Sequence, residues 1–167
     1  MSKTEHLPPN FARLDKALRS IGYSFEAAVA DIIDNSIDAK ARHILVRFIL
    51  RKHKALDLVI WDDGIGMSPA TIKEAMRFGA DVTQELDRLG KFGLGLKLAS
   101  LSQAKEFRVV TYDGSKTSGR GWLEEGISSG FMSTVLESSE CRDVLKGLVP
   151  DRPWNKSGSV VWWSHLY

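Results

Sequence analysis

Cysteine is almost missing: Cys141 stands alone among 167 residues, which excludes an internal disulfide and any zinc site built on cysteines. Histidine is scarce too, and His6, His43, His53 and His165 are scattered without metal-ligand spacing. No stretch approaches the roughly 18 apolar residues of a membrane span. Met1-Ser2-Lys3-Thr4-Glu5-His6 has no apolar core behind it, so no secretory leader is expected. The chain therefore reads as cytoplasmic, or nuclear in a eukaryote. Neither sign of charge dominates: 23 Lys and Arg against 21 Asp and Glu leave +2, too little for a protein held to nucleic acid by bulk charge. Against these absences, 43% of the residues are hydrophobic and 26% charged. That is enough to bury a core, and the length suits a single domain over residues 1–167.

Periodicity predicts the elements. Phe11, Leu14, Ala17, Leu18 and Ile21 recur at helical spacing, so residues 1–22 are expected to be an N-terminal helical segment ending at Gly22. Ser24 is a candidate cap for a second helix reaching about Ala39. Ile44 to Leu50 and Leu56 to Trp61 read as strands joined by the basic turn Arg51-Lys52-His53-Lys54-Ala55. Ser68-Pro69 announces a short helix. Leu96 to Leu101 and Glu140 to Leu148 are expected as helices, and Phe107 to Tyr112, Phe131 to Leu136 and Ser157 to Trp163 as strands. Glycine blurs every boundary between Gly114 and Gly130. The mixture predicts an α+β fold, a mixed, mostly antiparallel sheet covered on one face by helices.

Three stretches carry chemistry. On the second helix, Phe25, Val29, Ile32, Ile33 and Ile37 are expected to form the apolar face, while Asp31, Asn35 and Asp38 fall within about 60° of one another opposite it. Short acids and amides are poor helix formers, and no Lys or Arg offsets them before Lys40. Such a stripe suits a hard cation or a positioned water, while the solvated polar face of any amphipathic helix is the plainer alternative. Next, a strand runs into Asp62-Asp63-Gly64-Ile65-Gly66-Met67, which delivers a carboxylate and then a Gly-x-Gly backbone open to a planar ligand. A carboxylate accepting from an amino group selects adenine over guanine. An Asp-Gly hairpin turn is the plainer alternative for that segment. Finally, Gly90-Lys91-Phe92-Gly93-Leu94-Gly95-Leu96-Lys97 opens a helix, where free amides and lysines favour an anion. It is not a Walker A loop, because Glu85 and Phe92 stand where Gly and Ser/Thr are required. Nor is it a dinucleotide fingerprint, since Pro69 and Leu98 replace the third glycine of patterns starting at Gly64 and Gly93.

Together these three segments resemble the GHKL ATPase superfamily, which includes gyrase B subunits, the ninety-kilodalton heat-shock chaperone, MutL proteins and sensor histidine kinases. The wording around Asn35 and Lys97 is most similar to the MORC branch and related bacterial stand-alone ATPases. The resemblance implies a Bergerat-type two-layer α/β sandwich binding ATP with Mg²⁺ under a flexible lid at residues 78–95. By motif position Asn35 holds the Mg²⁺, with Asp38 beside it. Asp62 accepts from the adenine amino group, Gly64, Gly66 and Met67 flank the base, and Ser159 supports Asp62 through water. Gly90, Lys91, Phe92, Gly93, Leu94 and Gly95 wrap the triphosphate, with Lys97 adding charge. Asp31 takes the place of the family's usual Glu and is expected to orient the attacking water. Its shorter side chain suggests slow turnover, and Ser159 replaces the usual Thr.

The resemblance also implies slow release of ADP and phosphate, and lid closure that switches an ATP-dependent homodimer within a longer protein, of which this chain is the N-terminal part. A catalytic lysine would come from a downstream domain or a partner. A non-hydrolysing ATP sensor and a histidine kinase catalytic domain are the competing functions. DNA contact through the basic run Lys40 to Lys54 competes with its reading as a solvated strand and turn.

Overall fold

The computed structural model describes residues 23–50, 56–78, 95–130, 132–149 and 156–167, with isolated positions before Tyr23. Helix α1 spans Phe25–Asp38, and the Ser24 side chain caps it by accepting from the Ala27 N–H. Strands β1 (Ile44–Leu50) and β2 (Leu56–Asp62) pair antiparallel from Ile44 opposite Asp62 to Leu50 opposite Leu56. Helix α2 (Pro69–Ala75) carries the expected Ser68 cap and proline in its first turn. Helix α3 (Gly95–Gln103) runs straight into β3 (Ala104–Tyr112). Then come β4 (Thr117–Trp122), α4 (Glu124–Ser128), β5 (Thr134–Leu136), α5 (Ser138–Leu148) and β6 (Gly158–Leu166).

The sheet has six strands in the order β1-β2-β6-β3-β4-β5, and every neighbouring pair is antiparallel. The α+β architecture is the one expected, with the parallel component left out. On one face, Leu58, Ile60, Phe107, Val109, Val161 and Trp163 meet Ala28 and Ile32 of α1, Ile72 of α2 and Ala99 and Leu101 of α3. The second face is also partly covered. There α5 and the residue after it set Val144, Leu145, Leu148 and Val149 against Val59, Trp61 and Val160, and the Arg47 guanidinium donates to the Leu148 carbonyl at 2.8 Å. The strand alternation explains this, since Val59 and Trp61 point away from Leu58 and Ile60.

Two local expectations change. Ile37 is 55% exposed, and the buried line of α1 is Ala28, Ile32 and Ser36. Ser36 replaces Ile37 at the sheet because its hydroxyl has a buried acceptor there. Strand β4, hidden among glycines in the sequence, is a full sheet member paired with β3 and β5. No helix among the described residues is long and apolar enough to cross a membrane.

Candidate active site

Asp62 is the last residue of β2 and is buried. One carboxylate oxygen accepts from the Gly64 N–H at 2.9 Å, and the other from the Ser36 hydroxyl at 3.1 Å. Burial pushes its carboxyl above the ordinary aspartate range, and the bonds from Gly64, Ser36 and the Ser159 backbone only partly offset that. The result is an oriented acceptor with little water around it. Such a group strongly favours a ligand that brings a hydrogen-bond donor.

The strands flanking Asp62 extend this polar floor. Register places Ser159 of β6 opposite Asp62, Thr111 of β3 opposite Ser159, and Ser118 of β4 opposite Thr111. Thr111 is fully buried; it donates to the Gly158 carbonyl, shares a 3.0 Å bond with the Ser159 hydroxyl and accepts the Met67 N–H at 2.8 Å. Ser159 thus reaches Asp62 by its backbone and spends its hydroxyl on Thr111. The Ser157 hydroxyl donates to the Gly64 carbonyl at 2.6 Å.

These bonds hold the Gly64–Met67 turn from below. A side chain on Gly64 would lie 2.7 Å from the Ala39 carbonyl, and one on Gly66, at φ +67°, would overlap the Tyr112 carbonyl. Both glycines are demanded by the packing of the turn against α1 and β3.

Asp31 and Asn35 lie half-buried beside the sheet-facing line of α1, whereas Asp34 and Asp38 are exposed. The expected stripe therefore splits, and its first two members border the core. The Tyr23 hydroxyl donates to Asp31 Oδ2 at 2.7 Å, and a side chain added at Gly95 would come within 3.9 Å of that same oxygen. The α1 acid thus faces the opening of α3.

Lys97, two residues on, is fully buried and points toward α2: its ammonium donates to the Ala75 carbonyl at 2.7 Å and stands 5.7 Å from the Phe78 ring centre. Burial lowers its pKa to about 8. Gly90, Lys91, Phe92, Gly93 and Leu94, and the expected lid beyond Phe78, lie outside the described residues.

A Mg²⁺ ion fits the donors present only as a companion of a polyphosphate. No group of three or more His, Cys, Asp or Glu able to hold a metal exists among the described residues. Mg²⁺ commonly takes one or two protein oxygens and completes its shell with phosphates and water, so Asn35 with phosphate oxygens meets that pattern.

Several contributors escape sequence reasoning. Thr111, Ser157 and Tyr23 join the site only through pairing and packing and sit in no recognisable motif, and Ser36, inside the first motif, shows its role only in its bond to Asp62. Asp63, next to Asp62, faces away from this floor and serves the backbone instead. Its Oδ1 accepts from the Arg42 and His43 N–H groups, and its Oδ2 bonds His43 Nδ1 at 2.7 Å. It fastens the link between α1 and β1.

The antiparallel sheet, its helical layer and the buried strand-end carboxylate define an α+β domain of the Bergerat type. Residues 23–143 match the family model described as histidine kinase-, DNA gyrase B-, and HSP90-like ATPase. The chain belongs to that family. Among curated relatives, the human ATPase MORC2 is 30% identical over 132 residues, which are 77% of this chain and 12% of MORC2. ATPase morc-1 of Caenorhabditis elegans is 31% identical over 86 residues, 51% of this chain and 10% of that protein. Protein MICRORCHIDIA 5 of Arabidopsis thaliana is 24% identical over 143 residues, 81% of this chain and 20% of that protein. The chain thus spans between a tenth and a fifth of the length of these relatives.

Proposed function

We propose that the chain binds ATP with Mg²⁺ and hydrolyses it slowly to ADP and phosphate, closing on the nucleotide as a dimerisation switch within a larger machine. Membership of an ATPase family supports the general activity. The observation that carries the nucleotide assignment is Asp62, a buried carboxylate with both oxygens oriented and water largely excluded. It would accept from the adenine 6-amino group, with Gly64, Gly66 and Met67 forming the base-side turn held by Thr111.

Asn35, with Asp38 nearby, would hold Mg²⁺ against the phosphates; when bound, the ion offsets phosphate charge. The Gly90–Gly95 amides would receive the phosphate oxygens at the entrance of α3. Asp31 would take a proton from a water whose oxygen bonds to the γ-phosphorus, as the bond to the β–γ bridging oxygen breaks and ADP departs with that electron pair. Lys97, whose buried ammonium donates to the Ala75 carbonyl, would add positive charge near the triphosphate. A lysine from a downstream domain or partner would complete the site, and the setting would be cytoplasmic or nuclear. The basic run Lys40–Lys54 is the candidate DNA contact.

The Asp31→Asn variant tests the chemistry. ATP binding by calorimetry is expected to persist while phosphate release falls by about 100-fold or more. Hydrolysis at the wild-type rate would remove Asp31 from the reaction. Tight binding with no phosphate release by the wild-type chain, even with its partner present, would instead select a nucleotide sensor.

A further inference from the structure

We propose that Tyr23 is a positioning residue for the hydrolytic water, acting through Asp31; this rests on the assignment of Asp31 as the base. Tyr23 stands just before the Ser24 cap, outside the helix that carries Asp31. Helical side chains lean toward the N-terminus, so Asp31 leans back to where Tyr23 can reach it. The phenol donates to Asp31 Oδ2 at 2.7 Å in a half-buried setting. A phenol is protonated at neutral pH, and the bond to Asp31 raises the Tyr23 pKa further.

Tyr23 is itself held. Its carbonyl accepts from Gln103 Nε2 at 2.9 Å, at the last residue of α3, and its ring packs against the inner core. Asp31 therefore lies close to the start of α3 at Gly95 and is linked through Tyr23 to Gln103 at its end.

The chemical consequence follows from the side-chain length. Aspartate is one methylene shorter than glutamate, and two torsions place its carboxylate. Anchoring Oδ2 narrows both torsions and leaves Oδ1 to receive a proton from water. A free carboxylate would sample other orientations, and small misplacements of reacting groups are costly in rate. Tyr23 thus compensates for the short acid by restricting it. The hydroxyl donates a hydrogen bond and transfers no proton in the reaction.

A double-variant cycle tests this in the full chain, with ATP turnover followed under single-turnover conditions for hours so that slow hydrolysis is still counted. Tyr23→Phe is expected to lower the hydrolysis rate by about tenfold, with ATP affinity by calorimetry within about twofold and the fold retained by circular dichroism. In the Asp31→Asn background the same change is expected to have no further effect, because the residue through which Tyr23 acts is already disabled. An unchanged rate for Tyr23→Phe, or an equal loss in both backgrounds, would overturn the inference while leaving Asp31 as the base. Wild-type turnover by Asp31→Asn alone would overturn the base assignment and the inference with it.

Discussion

Asp62 and Asp63 are neighbours with opposite electrostatics. Burial drives the Asp62 carboxyl up, whereas for Asp63 the burial cost is outweighed by bonds from the His43 ring and the His43 and Arg42 amides, which hold it at about 2. Their contributions to stability run in opposite directions with pH. Ionised Asp62 destabilises the fold, so its contribution is favourable below the unfolded value of 3.8 and is lost as pH rises through its raised folded value. Asp63 contributes stability above 3.8, and that is lost as pH falls through about 2. Asp63→Asn is therefore expected to lower the urea midpoint at neutral pH and to converge with wild type near pH 2; parallel curves across that interval would refute the bond network's role. Asp62→Asn is expected to weaken ATP binding by about 10- to 100-fold, the worth of a hydrogen bond to a charged acceptor. Calorimetry decides it, and unchanged affinity would move the base pocket elsewhere.

Among elements, strand β3 supplies a residue that ties the site together while showing nothing of it in sequence. Thr111 links the Gly64–Met67 turn to β6 through Met67, Gly158 and Ser159. Thr111→Val keeps the shape and removes all three bonds, leaving a backbone donor unpaired. A loss of about 1–3 kcal/mol in urea unfolding is expected, accompanied by weaker ATP binding as the turn loosens; a variant as stable as wild type would show the hydroxyl to be dispensable. Strand β4 teaches a related point. Its sequence, Thr117-Ser118-Gly119-Arg120-Gly121-Trp122, lacks the β-branched alternation that identifies β1 and β2. A side chain on Gly119 would lie 2.7 Å from Cys141 Sγ and 2.8 Å from Leu136 Cδ1. Gly119 is demanded because α5 and β5 press on the strand there, a requirement that arises only after folding. The same applies to Ile37, expected inside yet exposed, since Ser36 is drawn in by Asp62.

For the whole molecule, the sheet joins distant segments. Strand β6, last in the chain, lies between β2 and β3 and supplies Ser159 to a site begun by residues more than a hundred positions earlier. The proposed switch also belongs to this level. If nucleotide binding drives pairing of chains, turnover per chain is expected to rise with protein concentration, and sedimentation is expected to show a dimer with a non-hydrolysable ATP analogue and a monomer with ADP. A rate independent of concentration, with one species under both conditions, would exclude dimerisation as the switch.

Local rules accounted for the α1 cap at Ser24, the Ser68-Pro69 helix start and the β1–β2 pair. Capping, turn chemistry and amphipathic period act between residues a few positions apart, so they are written in contiguous sequence. The partnership of Thr111 with Met67, of Ser36 with Asp62 and of Tyr23 with Asp31, together with the placement of α5 on the second face, came from folding alone. Those contacts depend on strand register and helix docking, where segments far apart in the chain compete for burial and for hydrogen-bond partners. No local pattern encodes the winner.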